Sequence, residues 1–285
     1  MLRRFFLPAS LGLWTVSLGV PTADAALVAY DGFAGYADGA LAGNNGGTGW
    51  SNAWATASGA TVNVAANGLS YNAGSITVGG NSQAVSILND SNSGSVATRQ
   101  FATITSSEVW FSLLVQPNGA DGNDFIQLYV GTNNNFSNSG AVGDLNSNNN
   151  NNYWGARIRA GAGDSGTSSS GTALSNGNTT FLVARISTDG TTGAAGTYDK
   201  IELWVNPTST TLGTADAFVD GSLDLATTTG IDWFGIRTVN LDAGDNFIFD
   251  EFRVGTTLES VVVPEPGTIS LTLALAGALA FRRRR

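Results

Sequence analysis

The chain has 285 residues, a formal charge of −9, only 12% charged residues, 37 glycines, and neither cysteine nor histidine. The two missing residue types exclude disulfides, thiolate chemistry, a Ser-His-Asp triad and any zinc site built from His or Cys. With Arg3, Arg4, Arg282 to Arg285, Asp24 and Glu265 set aside, 20 acidic residues face 7 basic ones, a balance that repels a phosphate backbone and argues against nucleic-acid binding.

The chain opens on Met1-Leu2-Arg3-Arg4, an apolar run from Phe5 to about Val20, and Pro21-Thr22-Ala23-Asp24-Ala25. A short basic stretch, an apolar core and small residues at Ala23 and Ala25 predict a signal peptide over 1–25, removed by signal peptidase. Next comes Leu27-Val28-Ala29-Tyr30-Asp31-Gly32-Phe33, then a Gly- and Asn-rich segment, 43–59, that carries Trp50 and Trp54. No strand pattern forces these two rings inward. They either tuck the segment over the domain or stack on sugar rings.

From there apolar residues alternate at period two between Gly, Asn and Asp. Short strands are predicted at Thr61–Val64, Ser75–Val78 and Ala84–Leu88. Longer ones follow at Glu108–Gln116, Asp124–Val130, Tyr153–Arg159, Thr180–Ser187, Tyr198–Asn206, Ile231–Val239 and Asn246–Val254. Arg157, Arg159, Arg185, Arg237 and Arg253 stand within strands, where they face solvent or pair with Glu202, Asp232, Asp250 or Glu251. Thr132–Asn152 and Ala160–Asn178 are almost wholly Gly, Ser, Thr, Asn and Asp and are predicted as loops. Trp110, Trp154, Trp204 and Trp233 fall in strands and are assigned to core or edge packing. No helical periodicity interrupts the series, so the expected class is all-β: a jelly-roll β-sandwich over 26–258.

The segment 259–263 reads as a linker. After it come Pro264-Glu265-Pro266-Gly267-Thr268, an apolar stretch from Ile269 to Phe281, and Arg282-Arg283-Arg284-Arg285. Thirteen helical residues reach about 20 Å, a marginal transmembrane helix against a hydrocarbon core of about 30 Å. The arginine tail would hold its end in the cytoplasm and leave the domain outside.

Residues 264–285 resemble the PEP-CTERM sorting signal, in which a Pro-Glu-Pro motif, a short apolar helix and a basic tail end an exported protein. The resemblance implies transient inner-membrane anchoring and recognition by an exosortase with cleavage near Pro264-Glu265-Pro266. It also implies a producing cell that makes extracellular polysaccharide. The order of strands, with Leu27–Phe33 at the start and Phe249-Asp250-Glu251-Phe252-Arg253-Val254-Gly255 at the end, resembles the concanavalin A-like or laminin-G-like jelly roll. In that fold the first strand pairs with the last.

No catalytic constellation is legible. Glycoside hydrolysis needs two carboxylates about 5 to 10 Å apart across a cleft, and the five glutamates at 108, 202, 251, 259 and 265 form no such motif. Adjacent Asp250 and Glu251 should point to opposite faces of their strand and not cooperate. Lys200, the one lysine, and Tyr198 share a strand face, as a polysaccharide lyase would need or as cross-strand pairing alone explains. Asp242-Ala243-Gly244-Asp245-Asn246 and Asp121-Gly122-Asn123-Asp124 read as hairpin turns, with calcium at Asp242 and Asp245 the alternative. The sequence therefore points to an exported, non-catalytic surface or matrix protein associated with extracellular polysaccharide. A carbohydrate-active enzyme on the same fold is the alternative.

Overall fold

The computed structural model describes residues 27–57, 61–80, 83–88, 95–135, 138–144, 152–160, 163–190, 196–221 and 230–262. The signal-peptide residues Ala23 and Ala25, the motif Pro264-Glu265-Pro266, the apolar stretch and the tail Arg282 to Arg285 lie outside the described residues. Among those described, no helix is long and apolar enough to cross a membrane.

Regular structure among the described residues is nearly all strand. Its first half holds β1 (Leu27–Asp31), β2 (Gly39–Ala40), β3 (Ala55–Thr56), β4 (Val62–Ala66), β5 (Ser70–Ala73), β6 (Ile76–Gly79), β7 (Gln83–Leu88), β8 (Ser95–Ile104) and β9 (Glu108–Asn118). The second half holds β10 (Phe125–Gly131), β11 (Asn138–Asp144), β12 (Tyr153–Ala160), β13 (Gly163–Ala173) and β14 (Thr180–Ser187). It ends with β15 (Lys200–Val205), β16 (Ala217–Asp220), β17 (Ile231–Val239), β18 (Asn246–Gly255) and a short helix, α1 (Leu258–Val262).

Two antiparallel sheets face each other. The larger runs β16-β15-β14-β9-β18-β7-β4-β2, with β1 also on β18, and the smaller runs β13-β12-β11-β10-β17-β8-β3. Ala29 sits opposite Val254 and Asp31 opposite Phe252, so the first strand pairs with the last. The order is that of a jelly-roll sandwich. Side chains alternate across each strand, and the inward set from both sheets makes one core: Phe111, Leu113 and Val115 meet Leu128, Val130, Ile158 and Phe234.

The larger sheet is also covered on its other side. A second apolar cluster joins Trp110, Leu114, Phe181, Val183 and Trp204 of that sheet to Leu69, Ile76 and Val78 around the β5–β6 hairpin, and to Val261 and Val262 of α1. Trp110 and Trp204 stack at 5.6 Å between ring centroids. The Ser112 hydroxyl donates to the Val261 carbonyl at 2.6 Å. Residues 258–262 dock on the sheet, because two valines bury their side chains there.

Three of the longer strands had no apolar alternation to announce them. β8 carries Arg99 and Gln100 in mid-strand, and Arg99 turns into the core. β11 and β13 fall within the two stretches expected as loops. β13 pairs with β12 through Gly155–Ser169 and Arg157–Thr167; the exposed edge of β12 supplies the backbone groups that order it. The Ser168 hydroxyl of β13 also accepts from Phe218 N of β16 at 3.3 Å, tying the two sheets together at that edge.

Candidate functional site

The N-terminal aromatics are committed to the fold. Asp31, which is buried, takes 2.9 Å bonds from Phe33 N and Trp54 Nε1, 2.8 Å from the Tyr36 hydroxyl and 2.6 Å from Arg99 Nη1. Arg99 reaches on to the Asn52 carbonyl and Asn45 Oδ1, each at 2.8 Å, so the ion pair is fully hydrogen-bonded. Burial, then the Asp31 charge, pushes the Tyr36 phenol up to about 12. Trp54 is 2% exposed. The half-buried Trp50 donates from Nε1 to the Tyr30 carbonyl at 2.9 Å, and its ring lies 4.7 Å below the Arg99 guanidinium. Of the two rings offered for sugar stacking, Trp54 is committed to the core, and Trp50 stays half-buried with one face against the Arg99 guanidinium.

The two acidic turns meet at one end of the sandwich. Asp121 N donates to Asp124 Oδ2 at 3.0 Å, and Asp245 N to the Asp242 carbonyl at 3.0 Å, both turn bonds. Desolvation, with lesser contributions from the Asp245 and Asp121 charges, raises the Asp124 carboxyl to about 6. Among the described residues no three His, Cys, Asp or Glu side chains are set to hold a metal ion.

The last strand departs from simple alternation. The pairing of β18 with β9 shifts between Asp250 and Arg253, and Glu251 has φ 54°, a β-bulge that changes the facing of the residues after Asp250. Asp250 and Glu251 are 0% and 2% exposed. Asp250 accepts from Leu69 N at 2.8 Å and from Glu251 N at 2.7 Å; Glu251 accepts from the Tyr30 hydroxyl at 3.0 Å and Arg253 Nη2 at 3.1 Å. Desolvation first, then the nearby Glu251 charge, pushes the Asp250 carboxyl up to about 8. The bulge at Glu251 breaks the simple alternation expected of this strand, and the Glu251 charge reaches the Asp250 carboxyl.

Lys200 pairs with Glu202 at 3.3 Å, and Arg185 bridges Glu202 and Glu108. The Tyr198 hydroxyl donates to the Ser106 carbonyl at 2.6 Å beside a cavity of about 290 Å³ lined by Thr105, Ser107 and Thr188. Lys200 and Tyr198 thus serve different neighbours.

The remaining polar concentration is the outer face of the smaller sheet. On β10, Ile126, Leu128 and Val130 enter the core, which sends Phe125, Gln127 and Tyr129 to the other side. Register then places their neighbours. Gln127 faces Arg237 and Tyr129 faces Gly235 across β17; Tyr129 faces Ala141 on β11, and Ala141 faces Arg157 on β12. In the next row Gly131 lies between Ser139 and Trp233, with Arg159 beyond Ser139 and Gln100 beyond Trp233. Asp164 sits opposite Arg159 in the register. Of the seven basic residues between the two ends, this face holds Arg157, Arg159 and Arg237.

Two features of this face are built rather than incidental. A Cβ on Gly235 would run into the Tyr129 ring, so the glycine seats that ring. The Tyr129 hydroxyl donates to the Asn134 carbonyl at 3.3 Å, and burial raises its phenol. Gly143, at φ 151°, would collide with the Ile126 carbonyl if it carried a Cβ, and it faces Gly155 on β12. Two strands thus contribute no side chain beside Gln127, and both glycines are buried. Gln127 itself has no exposed surface, and among the described residues neither its Nε2 nor its Oε1 has a hydrogen-bond partner. Arg157, Arg237 and Trp233 are half-buried around it, and Tyr153, on the same side of β12, is 36% exposed. Sequence reasoning placed Trp233 in packing and passed over Gln127. The available signal was a lone amide within Phe125–Val130, flanked at every second position by apolar residues.

No protein-family model and no curated protein sequence matches the chain. Solved structures are similar to it at low identity and at TM-scores below 0.5. A Trypanosoma cruzi calreticulin globular domain is 13% identical, covering 81% of this chain and 94% of that one at a TM-score of 0.43. A mutant of the alginate lyase Aly36B in complex with alginate tetrasaccharide is 10% identical, covering 81% and 98% at 0.45. The VIP36 exoplasmic/lumenal domain in its Ca²⁺/Man₃GlcNAc-bound form is 13% identical, covering 65% and 84% at 0.40.

Proposed function

We propose that the chain is an exported, non-catalytic glycan-binding protein, processed by an exosortase and held in or near extracellular polysaccharide. The observation that carries the binding reading is the outer face of β10, β11, β12 and β17. There a buried amide, three arginines and the aromatic rings of Trp233 and Tyr153 share one side of a sheet. Aromatic faces take sugar rings, and amides and guanidinium groups take their hydroxyl and acidic substituents. The signal-peptide pattern over 1–25 and the PEP-CTERM pattern over 264–285 support the address.

Binding of the full chain to immobilised polysaccharides tests the reading. Retention on at least one glycan, lost on substituting Trp233 or Arg237, is the expected result; no retention on any would overturn it. Release of unsaturated sugars or new reducing ends from a bound glycan would replace it with the enzymatic alternative. Processing is tested by mass spectrometry of the protein from its producing cell. A C-terminus near Pro264 supports exosortase cleavage and an intact Arg285 defeats it. The reading needs no cofactor. Calcium is its alternative at Asp242 and Asp245, and a melting temperature that climbs with added Ca²⁺ would establish it there.

A further inference from the structure

We infer that the cavity beside the β8–β9 turn is a binding site for one neutral sugar ring. The inference takes its class of ligand from the glycan-binding reading, on which it rests, and adds a second site made by none of the residues of the outer face.

The cavity has a volume of about 290 Å³, at the low end of small-molecule sites, which run from about 300 to 1,000 Å³. One ring suits that size better than a chain of them. Four segments from both sheets meet around it: Thr105 to Ser107 between β8 and β9, Thr188 after β14, Tyr198 before β15 and Gly230 before β17. The floor is buried at Tyr198 and Gly230, while Thr105, Ser106 and Ser107 are exposed at the rim. A molecule can therefore enter from solvent and meet buried groups below.

The walls are held in place before anything binds. Thr188 N donates to the Ser107 carbonyl at 3.0 Å, fixing the turn to the end of β14. The Tyr198 hydroxyl donates to the Ser106 carbonyl at 2.6 Å. Gly230 has φ 78°, and a Cβ there would collide with the Ile104 carbonyl, so only glycine brings the floor this close to β8. Asp199 N donates to the Ser187 carbonyl at 3.1 Å and Gly190 N to Asp199 Oδ1 at 2.9 Å, which braces the approach to β15.

The lining chemistry says what fits. Hydroxyl groups of Thr105, Ser107 and Thr188 can each donate and accept, and the Tyr198 oxygen, its proton spent on Ser106, is left to accept. A ligand with several hydroxyls matches that mixture. The threonine methyls and the phenol ring offer apolar contact to the C–H side of the same ring. Among the described residues that line the cavity none is charged. The neighbouring carboxylates of Glu108 and Asp189 are engaged by Arg185. A charged ligand would lose water there without gaining an ionic partner, so the site favours a neutral one.

The experiment measures binding of the full chain to the methyl glycosides of glucose, galactose and mannose, with methyl glucuronide and methyl glucosaminide as charged comparisons. Ser107→Trp, which fills the cavity from its exposed rim, and Thr188→Val, which removes one hydroxyl at constant shape, are compared with the unsubstituted chain. Thermal melting is recorded for each, and retention on immobilised polysaccharides is measured in parallel. At least one neutral glycoside should bind about fivefold or more tighter than either charged one. Ser107→Trp should weaken it by about tenfold or more and Thr188→Val by about fivefold, with melting unchanged. If Ser107→Trp melts lower, Thr188→Val alone decides. Affinity that survives the deciding variants places the sugar elsewhere and overturns the assignment of the cavity. Equal or tighter binding of a charged glycoside overturns the preference for a neutral ring. Polysaccharide retention with no methyl glycoside bound overturns the cavity alone, and loss of both overturns the cavity and the glycan-binding reading together.

Discussion

The outer faces of the two sheets were built from similar strands and met opposite fates. On the larger sheet, Trp110, Leu114, Phe181, Val183 and Trp204 are roofed by the β5–β6 hairpin and α1. On the smaller sheet the corresponding side presents Gln127, Tyr129, Arg157, Arg159, Arg237 and Trp233. The covered face buries apolar area at roughly 25 cal/mol per Å² and so contributes to stability. The polar face retains Gln127, a buried amide with no hydrogen-bond partner among the described residues, which costs stability. The difference teaches that the two faces serve different ends: one is filled with apolar side chains, and the other gathers arginines around an amide that has no hydrogen-bond partner among the described residues.

That contrast can be broken by experiment. The largest effect is expected from Phe181→Ala, which removes a fully buried ring packed 5.3 Å from Tyr71. It should cost about 3–5 kcal/mol in denaturant unfolding and leave glycan affinity of the folded fraction unchanged. Reduced affinity without lost stability would erase the distinction between the faces.

Next comes pH, through Asp250 on the covered side. Its folded-state value, about 8, lies above the ordinary carboxylate value. Folding therefore favours the protonated form, and the stabilisation is full below the unfolded value and lost as pH rises through about 8. Unfolding free energy should fall between about pH 5 and pH 8 by at most about 1.4 kcal/mol per unit. Asp124, raised to about 6, adds the same sign over a narrower window. Asp250→Asn should flatten most of that slope; an unchanged slope would show that Asp250 is not its source.

A smaller loss is expected from Gly235→Ala on the polar face. The new methyl displaces the Tyr129 ring, at about 1–3 kcal/mol, and glycan affinity should fall with it. Affinity that survives would remove Tyr129 from the site. The smallest stability change belongs to Ser112→Ala, which deletes one bond to α1 and should cost about 1 kcal/mol with no effect on binding.

Much of the fold was legible because period-two alternation marks strands with one buried face. Thr180–Ser187 and Ile231–Val239 have the bounds read from sequence. β8 escaped because Arg99 occupies an inward position that only the buried Asp31 carboxylate makes tolerable. β11 and β13 escaped because neighbouring backbone, more than apolar side chains, orders them. The candidate site was harder to read, since its members come from four strands and each is ordinary within its own segment. Trp50 and Trp54 looked available only because their segment carries no pattern, and the ion pair that claims them is 68 residues apart in sequence.

By itself the sequence determined the all-β class, the place of most strands and the exclusion of thiol, imidazole and zinc chemistry, since these follow from composition and local periodicity. Only the tertiary structure decided which face of which sheet stays polar. Whether a side chain is core, cover or site depends on what packs against it from strands distant along the chain. Gln127 shows this most plainly: one amide in an apolar strand becomes informative only once register sets Arg237 opposite it and burial leaves it without a hydrogen-bond partner among the described residues.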